Sequence, residues 1–273
     1  MGVSSITKPS SDTRRLYLDL LKRCLTRMLI PDGSVNEDLT FSGAFNREKR
    51  IEGRDWPTQA ETMVGLKRLD NLEECIAEVV ERDIPGDLVE AGVWRGGAAI
   101  MMRAVLAAYG DPGRSVWLAD SFQGLPAPEC AKYPADAGDR HWELSSYLGV
   151  NIEEVRENFR RYSLLDDRVR FLAGWFKDTL PAAPISTISV LRVDGDMYQS
   201  TLEVLNHLYR RVSVGGYVIV NDYGAIPSCR AAVHDFRESH GVAEEIERID
   251  WTGVFWRKET ADSDRDAFSL QRL

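Results

Sequence analysis

From Asp87 onward the chain alternates short apolar runs with stretches of helical apolar spacing, and few folds satisfy that alternation. Leu88-Val89-Glu90, 116–119, 169–172, 188–193 and 217–220 read as strands. Residues 98–108, a segment carrying Ile152, Val155, Phe159 and Tyr162, and then 202–212 and 231–239 read as helices. A strand that returns through a helix must pair in parallel with its predecessor, so the expected class is α/β. The expected architecture is a doubly wound, mostly parallel sheet with helices on both faces. Residues 245–250 and 253–257 can close it with an antiparallel hairpin at one edge.

Two helical patterns precede the sheet. Asp12 or Thr13 can cap the first, with Leu16, Leu20, Leu21, Cys24, Leu25 and Met28 at helical spacing. Residues 31–57 read as an irregular connection. The second helix is expected from about Thr58, carrying Met63, Leu66, Leu69, Leu72, Ile76 and Val79 to a stop at Pro85-Gly86. The domain reading is therefore an N-terminal helical extension, 1–86, packed on a core of 87–258, with a polar tail, 259–273, that reads as disordered. Residues 127–150 are long for a strand-to-helix connection and rich in proline and aromatics, which predicts a lid insertion. The apolar face of the first helix (Leu16, Leu20, Leu25, Met28) can pack on its own sheet or on a second subunit, which allows a homodimer.

Composition narrows the partners. With 34 Lys+Arg against 43 Asp+Glu the formal charge is −9, which argues against nucleic acid as the main partner. No apolar run approaches the roughly 20 residues of a membrane span, and the first residues lack a signal-peptide design. Cys24, Cys75, Cys130 and Cys229 have no metal-ligand or disulfide spacing. A cytoplasmic enzyme with a small-molecule substrate is the expectation.

The chemistry is expected at the carboxyl ends of the strands, where ligands bind in such sheets. Glu90-Ala91-Gly92-Val93-Trp94-Arg95-Gly96-Gly97 follows the first strand and opens a helix. Gly92 lets backbone approach a ligand closely, and the acid Glu90 suits a cationic one such as S-adenosylmethionine, with its ammonium and sulfonium. Asp120 ends the second strand, where a carboxylate can accept ribose hydroxyls, and Gly174-Trp175-Phe176 after the third offers a flat apolar surface for adenine. The fourth strand ends in Asp194-Gly195-Asp196-Met197-Tyr198 and the fifth in Asn221-Asp222. Neighbouring strand ends lie about 4.8 Å apart, so Asp194, Asp222 and Asn221 can converge as an all-oxygen Mg²⁺ site. Asp196 is the candidate general base. His141 is a second base candidate, with a lid contact as its alternative role. The lid residues Tyr133, His141 and Trp142, with Tyr198, are the expected substrate contacts.

These motifs resemble the macrocin O-methyltransferase (TylF-type) family. Besides the segments above, the likeness rests on Thr62-Met63-Val64-Gly65-Leu66-Lys67-Arg68-Leu69, Asp120-Ser121-Phe122-Gln123-Gly124 and Gly174-Trp175-Phe176-Lys177-Asp178-Thr179. The resemblance implies a Rossmann-like class I methyltransferase with a seven-stranded sheet, S-adenosylmethionine as donor and Mg²⁺ dependence. It also implies Thr62 and Met63 bordering the cofactor, Gly92, Val93, Trp94, Arg95 and Gly96 along its methionine end, Asp120 at the ribose, Trp175 with Phe176 near the adenine, and Ser121 and Gly174 among the cofactor-binding residues. It further implies methylation of a deoxysugar hydroxyl on a glycosylated antibiotic, with the noviose 4-hydroxyl of an aminocoumarin as the best match. The smaller catechol-type methyltransferases have a lysine three residues after the first aspartate, where this chain has Met197, and Asn221 stands where some relatives have an aspartate. One rival remains: Asp194-Gly195-Asp196 also fits the Asp-x-Asp metal motif of some glycosyltransferases.

Overall fold

In the computed structural model, which describes residues 10–36 and 40–261, the strand motifs assemble into one sheet. Its strands are β1 (Asp87–Ala91), β2 (Val116–Asp120), β3 (Val169–Ala173), β4 (Ile188–Val193), β5 (Val212–Val220), β6 (Glu247–Arg248) and β7 (Val254–Arg257). They lie in the order β3-β2-β1-β4-β5-β7-β6, parallel from β3 to β5 and antiparallel at β7 and β6. The expected α/β class, the mostly parallel seven-stranded sheet and the antiparallel edge are thus all present.

The helices of six or more residues are α1 (Ser11–Leu25), α2 (Arg47–Glu52), α3 (Leu66–Glu81), α4 (Gly97–Tyr109), α5 (Ile152–Arg161), α6 (Tyr198–Leu208) and α7 (Pro227–Ser239). Successive strand residues face opposite sides, so Leu88, Leu118, Val190 and Ile219 join a cluster with α1, α3, α4 and α5. Val89, Leu191, Val218 and Trp256 join the other, with α6 and α7. Both faces are covered, as near-continuous apolar strands require.

Several local expectations are corrected. Ser10, rather than Asp12 or Thr13, caps α1, accepting from Thr13 N at 3.2 Å, and the helix ends at Leu25, short of Met28. Leu18, Leu21 and Leu25 form its buried face, whereas Leu16 and Leu20 are 68% and 53% exposed. The second helix starts at Leu66, not near Thr58. Residues 58–65 cannot coil because their backbone is engaged elsewhere: Glu61 N–H donates to Leu25 O at 3.2 Å, and Glu61 O accepts from Gly97 N–H at 2.9 Å. A Cβ on Gly65 would lie 2.3 Å from Ile51 O, so the chain passes there only as glycine.

The segment 31–57 is not irregular. It holds α2 and a three-stranded antiparallel sheet of Ser34–Val35, Phe41–Gly43 and Trp56–Pro57. Strands this short carry no readable period. Arg50 organises them, only 1% exposed and paired with Asp32 at 2.6 Å and Asp55 at 2.8 Å. The insertion contains short helical turns, Pro134–Asp136, His141–Leu144 and Ser145–Leu148. Buried Asp136 accepts from the backbone N–H groups of Tyr198 and Gln199 at 2.7 and 3.0 Å, capping α6 from a distance. No helix among the described residues is long and apolar enough to cross a membrane. Of the expected tail, residues beyond 261 lie outside the described part, as do residues 1–9.

Candidate active site

At the carboxyl ends of β1, β2, β4 and β5 lies a cavity of about 590 Å³, within the size range of cofactor sites. Parallel pairing places its groups. Glu90 on β1 stands in register with Arg192 on β4, the Asp194 N–H donates to Ala91 O, and the Asn221 N–H donates to Val193 O. The glycine turn is pressed against this edge. A Cβ on Gly92 would fall 1.7 Å from Asp194 O, so only glycine allows β1 and the Asp194 turn to approach this closely. Trp94, Phe122 and Asp196 adopt positive φ (48°, 56° and 58°), each in a turn after a strand along the same edge.

Thr62, Met63, Glu90, Gly92, Val93, Trp94, Asp120, Ser121, Trp175, Phe176, His141, Asp194, Asp196, Asn221 and Asp222 all line the cavity. Six candidates do not. Arg95 turns away, donating to Pro57 O and Ala60 O and stacking on Trp94 with its guanidinium carbon 4.2 Å from the ring centroid. Gly96 packs against α5, where a Cβ would meet Val155 at 2.8 Å, and Gly174 N–H braces Asp120 O from behind. Tyr133 and Tyr198 lean on each other at 6.0 Å, and the Tyr198 hydroxyl donates to Asp235, so neither contacts the cavity. Trp142 is 39% exposed and lies outside it too, a position that a pattern of aromatics in a loop cannot reveal.

Glu90 is buried, with Oε1 taking Arg192 Nη1 at 2.6 Å and Oε2 without a hydrogen-bond partner. Burial pushes its carboxyl up to about 8 against the pull of Arg192. Asp120 accepts Val93 N–H at 2.6 Å and Phe122 N–H at 2.7 Å, so it also clasps the glycine turn; burial still raises its pKa. Asp194, Asp196 and Asp222 bring carboxylate oxygens within 4.8 Å of one another. Burial and the neighbouring Asp194 raise Asp196 to about 7, and burial with both neighbours raises Asp222. Three converging carboxylates are a hard oxygen donor set that can hold a divalent cation. The Asn221 oxygen does not join them: it accepts from Arg68 Nη1 at 2.7 Å and Arg192 Nη2 at 2.8 Å. His141 Nδ1 stands 3.0 Å from Asp139 Oδ2, which orients the ring at the cavity wall.

Sequence reasoning missed Arg192, which bridges Glu90 and Asp194 through one nitrogen at 2.6 and 2.7 Å. A lone arginine inside an apolar strand was the available signal, because an arginine is buried only with partners. It also missed a second wall, made by Arg54, Trp56 and Trp251, with the Arg54 guanidinium 4.3 Å from the Trp251 ring centroid. Those residues come from segments far apart in sequence, and no spacing connects them.

The profile of the family described as Macrocin-O-methyltransferase (TylF) matches residues 14–258. The chain is 51% identical over 254 residues to 8-demethyl-8-(2,3-dimethoxy-alpha-L-rhamnosyl)-tetracenomycin-C 4'-O-methyltransferase of Streptomyces olivaceus, covering 93% of this chain and 97% of the relative. It is 50% identical over 255 residues to demethyldecarbamoylnovobiocin O-methyltransferase of Streptomyces niveus, covering 92% and 96%. The solved structure of the O-methyltransferase NovP superposes with a TM-score of 0.86 at 49% identity, over 90% of this chain and all of that one. These relatives are methyltransferases, which removes the glycosyltransferase reading of Asp194-Gly195-Asp196. Over nearly its whole described length, then, the chain is an O-methyltransferase of the macrocin-O-methyltransferase (TylF) family.

Proposed function

We propose that the protein transfers a methyl group from S-adenosylmethionine to a deoxysugar hydroxyl of a glycosylated antibiotic, with a divalent cation, Mg²⁺ by preference, held at the acid cluster. The observation that carries this reading is the pairing, in one cavity, of an orphaned carboxylate oxygen on Glu90 with three converging carboxylates at Asp194, Asp196 and Asp222. A buried carboxylate oxygen without a donor is costly, and a cationic donor molecule would relieve it. S-adenosylmethionine supplies an electrophilic methyl on a sulfonium. A bound divalent cation lowers the cost of negative charge growing on the acceptor oxygen.

The chain's own residues supply position and proton transfer. Glu90 and the Gly92 turn hold the methionine end, bordered by Thr62 and Met63. Asp120 and Ser121 face the ribose, and Trp175 and Phe176 cover the adenine. Asp194 and Asp222 are the metal ligands. Asp196 would accept the hydroxyl proton as that oxygen takes the methyl group and the sulfonium leaves as a neutral thioether; its carboxylate stands beside Asp194 and Asp222 at the same strand ends. Alignment of the two reactants accounts for most of the acceleration. Arg54, Trp56 and Trp251 line the acceptor side, where a rigid aromatic and cationic surface suits a sugar joined to a planar aglycone.

Named relatives at similar identity act on different substrates: a rhamnosyl-tetracenomycin at the 4'-position in one, demethyldecarbamoylnovobiocin in another, and mycinamicin III at the 3''-position in a third, 48% identical. The noviose 4-hydroxyl of an aminocoumarin is the first acceptor to test, with rhamnosyl and macrolide glycosides beside it. Mass spectrometry of each glycoside with enzyme, S-adenosylmethionine and Mg²⁺ should show a gain of one methylene that a chelator suppresses. A full set of glycosides left unmodified would overturn the reading. Methylation that persists under chelation would overturn the metal part alone.

A further inference from the structure

Asn221 lies between two buried arginines and a carboxylate of the acid cluster. Its Oδ1 accepts from Arg68 and Arg192, and its Nδ2 donates to Asp222 Oδ1 at 2.6 Å. The orientation is chemically forced. A flipped amide would point its NH₂ at two guanidinium donors and its oxygen at a carboxylate. Both arginines are pinned from behind, Arg192 by Glu90 and Asp194, Arg68 by Asp250 at 3.0 Å and Gly53 O at 3.1 Å. Fixed cations on the carbonyl side polarise an amide and strengthen its N–H as a donor. Asp222 Oδ2 meanwhile accepts the Asp196 backbone N–H at 3.3 Å, so both of its oxygens are held before any ligand arrives.

We infer that Asn221 is a positioning residue for the acid cluster, not a metal ligand: it carries the fixed geometry of Arg68 and Arg192 through its amide to Asp222. This inference rests on the metal-assisted reading above. It accounts for an asparagine at this place. An aspartate has no N–H to offer Asp222, and a carboxylate oxygen would face Asp222 Oδ1 where the amide nitrogen now stands at 2.6 Å. It also gives Arg68, which approaches the site from α3, a role at the cluster without touching it. Through Gly53 O and Asp250, Arg68 joins the same carboxylates to the α2 end and the β6–β7 turn.

The test titrates Mn²⁺ alone against the enzyme by electron paramagnetic resonance, without donor or acceptor, so turnover is not needed. The proteins are wild type, Asn221→Ala, Arg68→Lys, their double variant and Asp222→Ala, each checked by thermal melting. Lysine keeps the charge of Arg68 but cannot reproduce its fork. Asn221→Ala should weaken Mn²⁺ by about tenfold, as removal of partners behind a metal ligand does. Arg68→Lys should weaken it several-fold, and the double variant no more than Asn221→Ala, because both act through one amide. At saturating Mn²⁺, kcat of Asn221→Ala should return to within about threefold of wild type, the loss showing in the metal requirement. If Arg68→Lys leaves Mn²⁺ affinity unchanged, or if the two losses multiply, the inference falls. A wild type without Mn²⁺ affinity, or an Asp222→Ala that keeps it, overturns the metal reading, and the inference falls with it. Should Arg68→Lys not fold, Asp250→Asn releases the same guanidinium from its far side and must show the same non-additivity with Asn221→Ala.

Discussion

The two walls of the cavity are built on different principles. One is made of strand ends, where Glu90, Asp120, Asp194 and Asp222 take their places from sheet register and backbone pairing. The other is made of inserted segments, and each is fastened by a few polar anchors: Arg50 under the small sheet, Asp136 under the insertion, and the Tyr147 hydroxyl donating to Pro57 O at 2.8 Å. A register shift in the first wall would turn every side chain to the other face, so its geometry is nearly all-or-none. The second can change anchor by anchor. Under the proposed function, chemistry that tolerates little displacement falls to the first, and contacts that must differ between acceptors fall to the second.

The largest expected effect lies at Asp196, on the strand-end wall. Replacing it with asparagine keeps the shape and the strained turn but removes the carboxylate proposed as the base. Turnover should fall on the order of 10²–10⁴-fold with S-adenosylmethionine affinity nearly unchanged. Isothermal titration beside a steady-state assay checks both halves. The same carboxyl sets a pH dependence. Its pKa is raised to about 7, and only the ionised form accepts a proton, so kcat/KM should climb through that pH and then level off. A bound cation favours the ionised form, so raising Mg²⁺ should move the climb to lower pH. A climb that keeps its position when Asp196 is replaced by asparagine would remove Asp196 from the role.

Arg50→Met probes the other wall. It leaves Asp32 and Asp55 buried without their cation, a change that costs about 3–5 kcal/mol. In a chain of this size that lowers Tm by ~10 °C. The acceptor KM should rise more than kcat falls, since no reacting group rests on Arg50. A kcat loss as deep as that of Asp196→Asn would mean that the two walls are one unit.

How much of this could be read beforehand follows the same division. The strand ends were legible because each motif is contiguous: Glu90 to Gly97, Asp194 to Asp196 and Asn221-Asp222 each fall at one strand end, and the alternation of strands and helices puts all three on one edge. The polarity of those residues was legible, but their partners were not. Asn221 could be chosen as an oxygen donor, yet its oxygen is already taken by Arg68, 153 residues away, and by Arg192. Trp251 and Arg54 meet only because the β6–β7 turn folds over α2, where the Trp251 indole donates to Glu52 O at 2.8 Å. Contacts between distant loops leave no period in a sequence, so the inserted wall stayed invisible while the strand ends did not.

Within the inserted wall, Trp251→Ala should raise the acceptor KM by about tenfold, the equivalent of ~1.4 kcal/mol. The S-adenosylmethionine KM should stay within about twofold, because Trp251 lies on the acceptor side as proposed. A rise in the donor KM of the same size would place Trp251 on the cofactor wall instead.

The smallest expected effect concerns Trp142, the residue whose aromatic character most invited a substrate role. It neighbours His141, which lines the cavity, but turns its own side chain partly to solvent, and its carbonyl accepts the Ser145 hydroxyl within the turn. A half-exposed indole with no cavity contact contributes little to binding, and Trp142→Ala should change the acceptor KM by less than about twofold. A tenfold rise would mean that the turn His141–Leu144 rotates when the acceptor arrives and brings Trp142 over it. In that case Asp139, which holds His141 from the same turn, should show the same loss when replaced by asparagine. Under the static arrangement Asp139→Asn affects only the orientation of His141, and its effect should separate from that of Trp142→Ala.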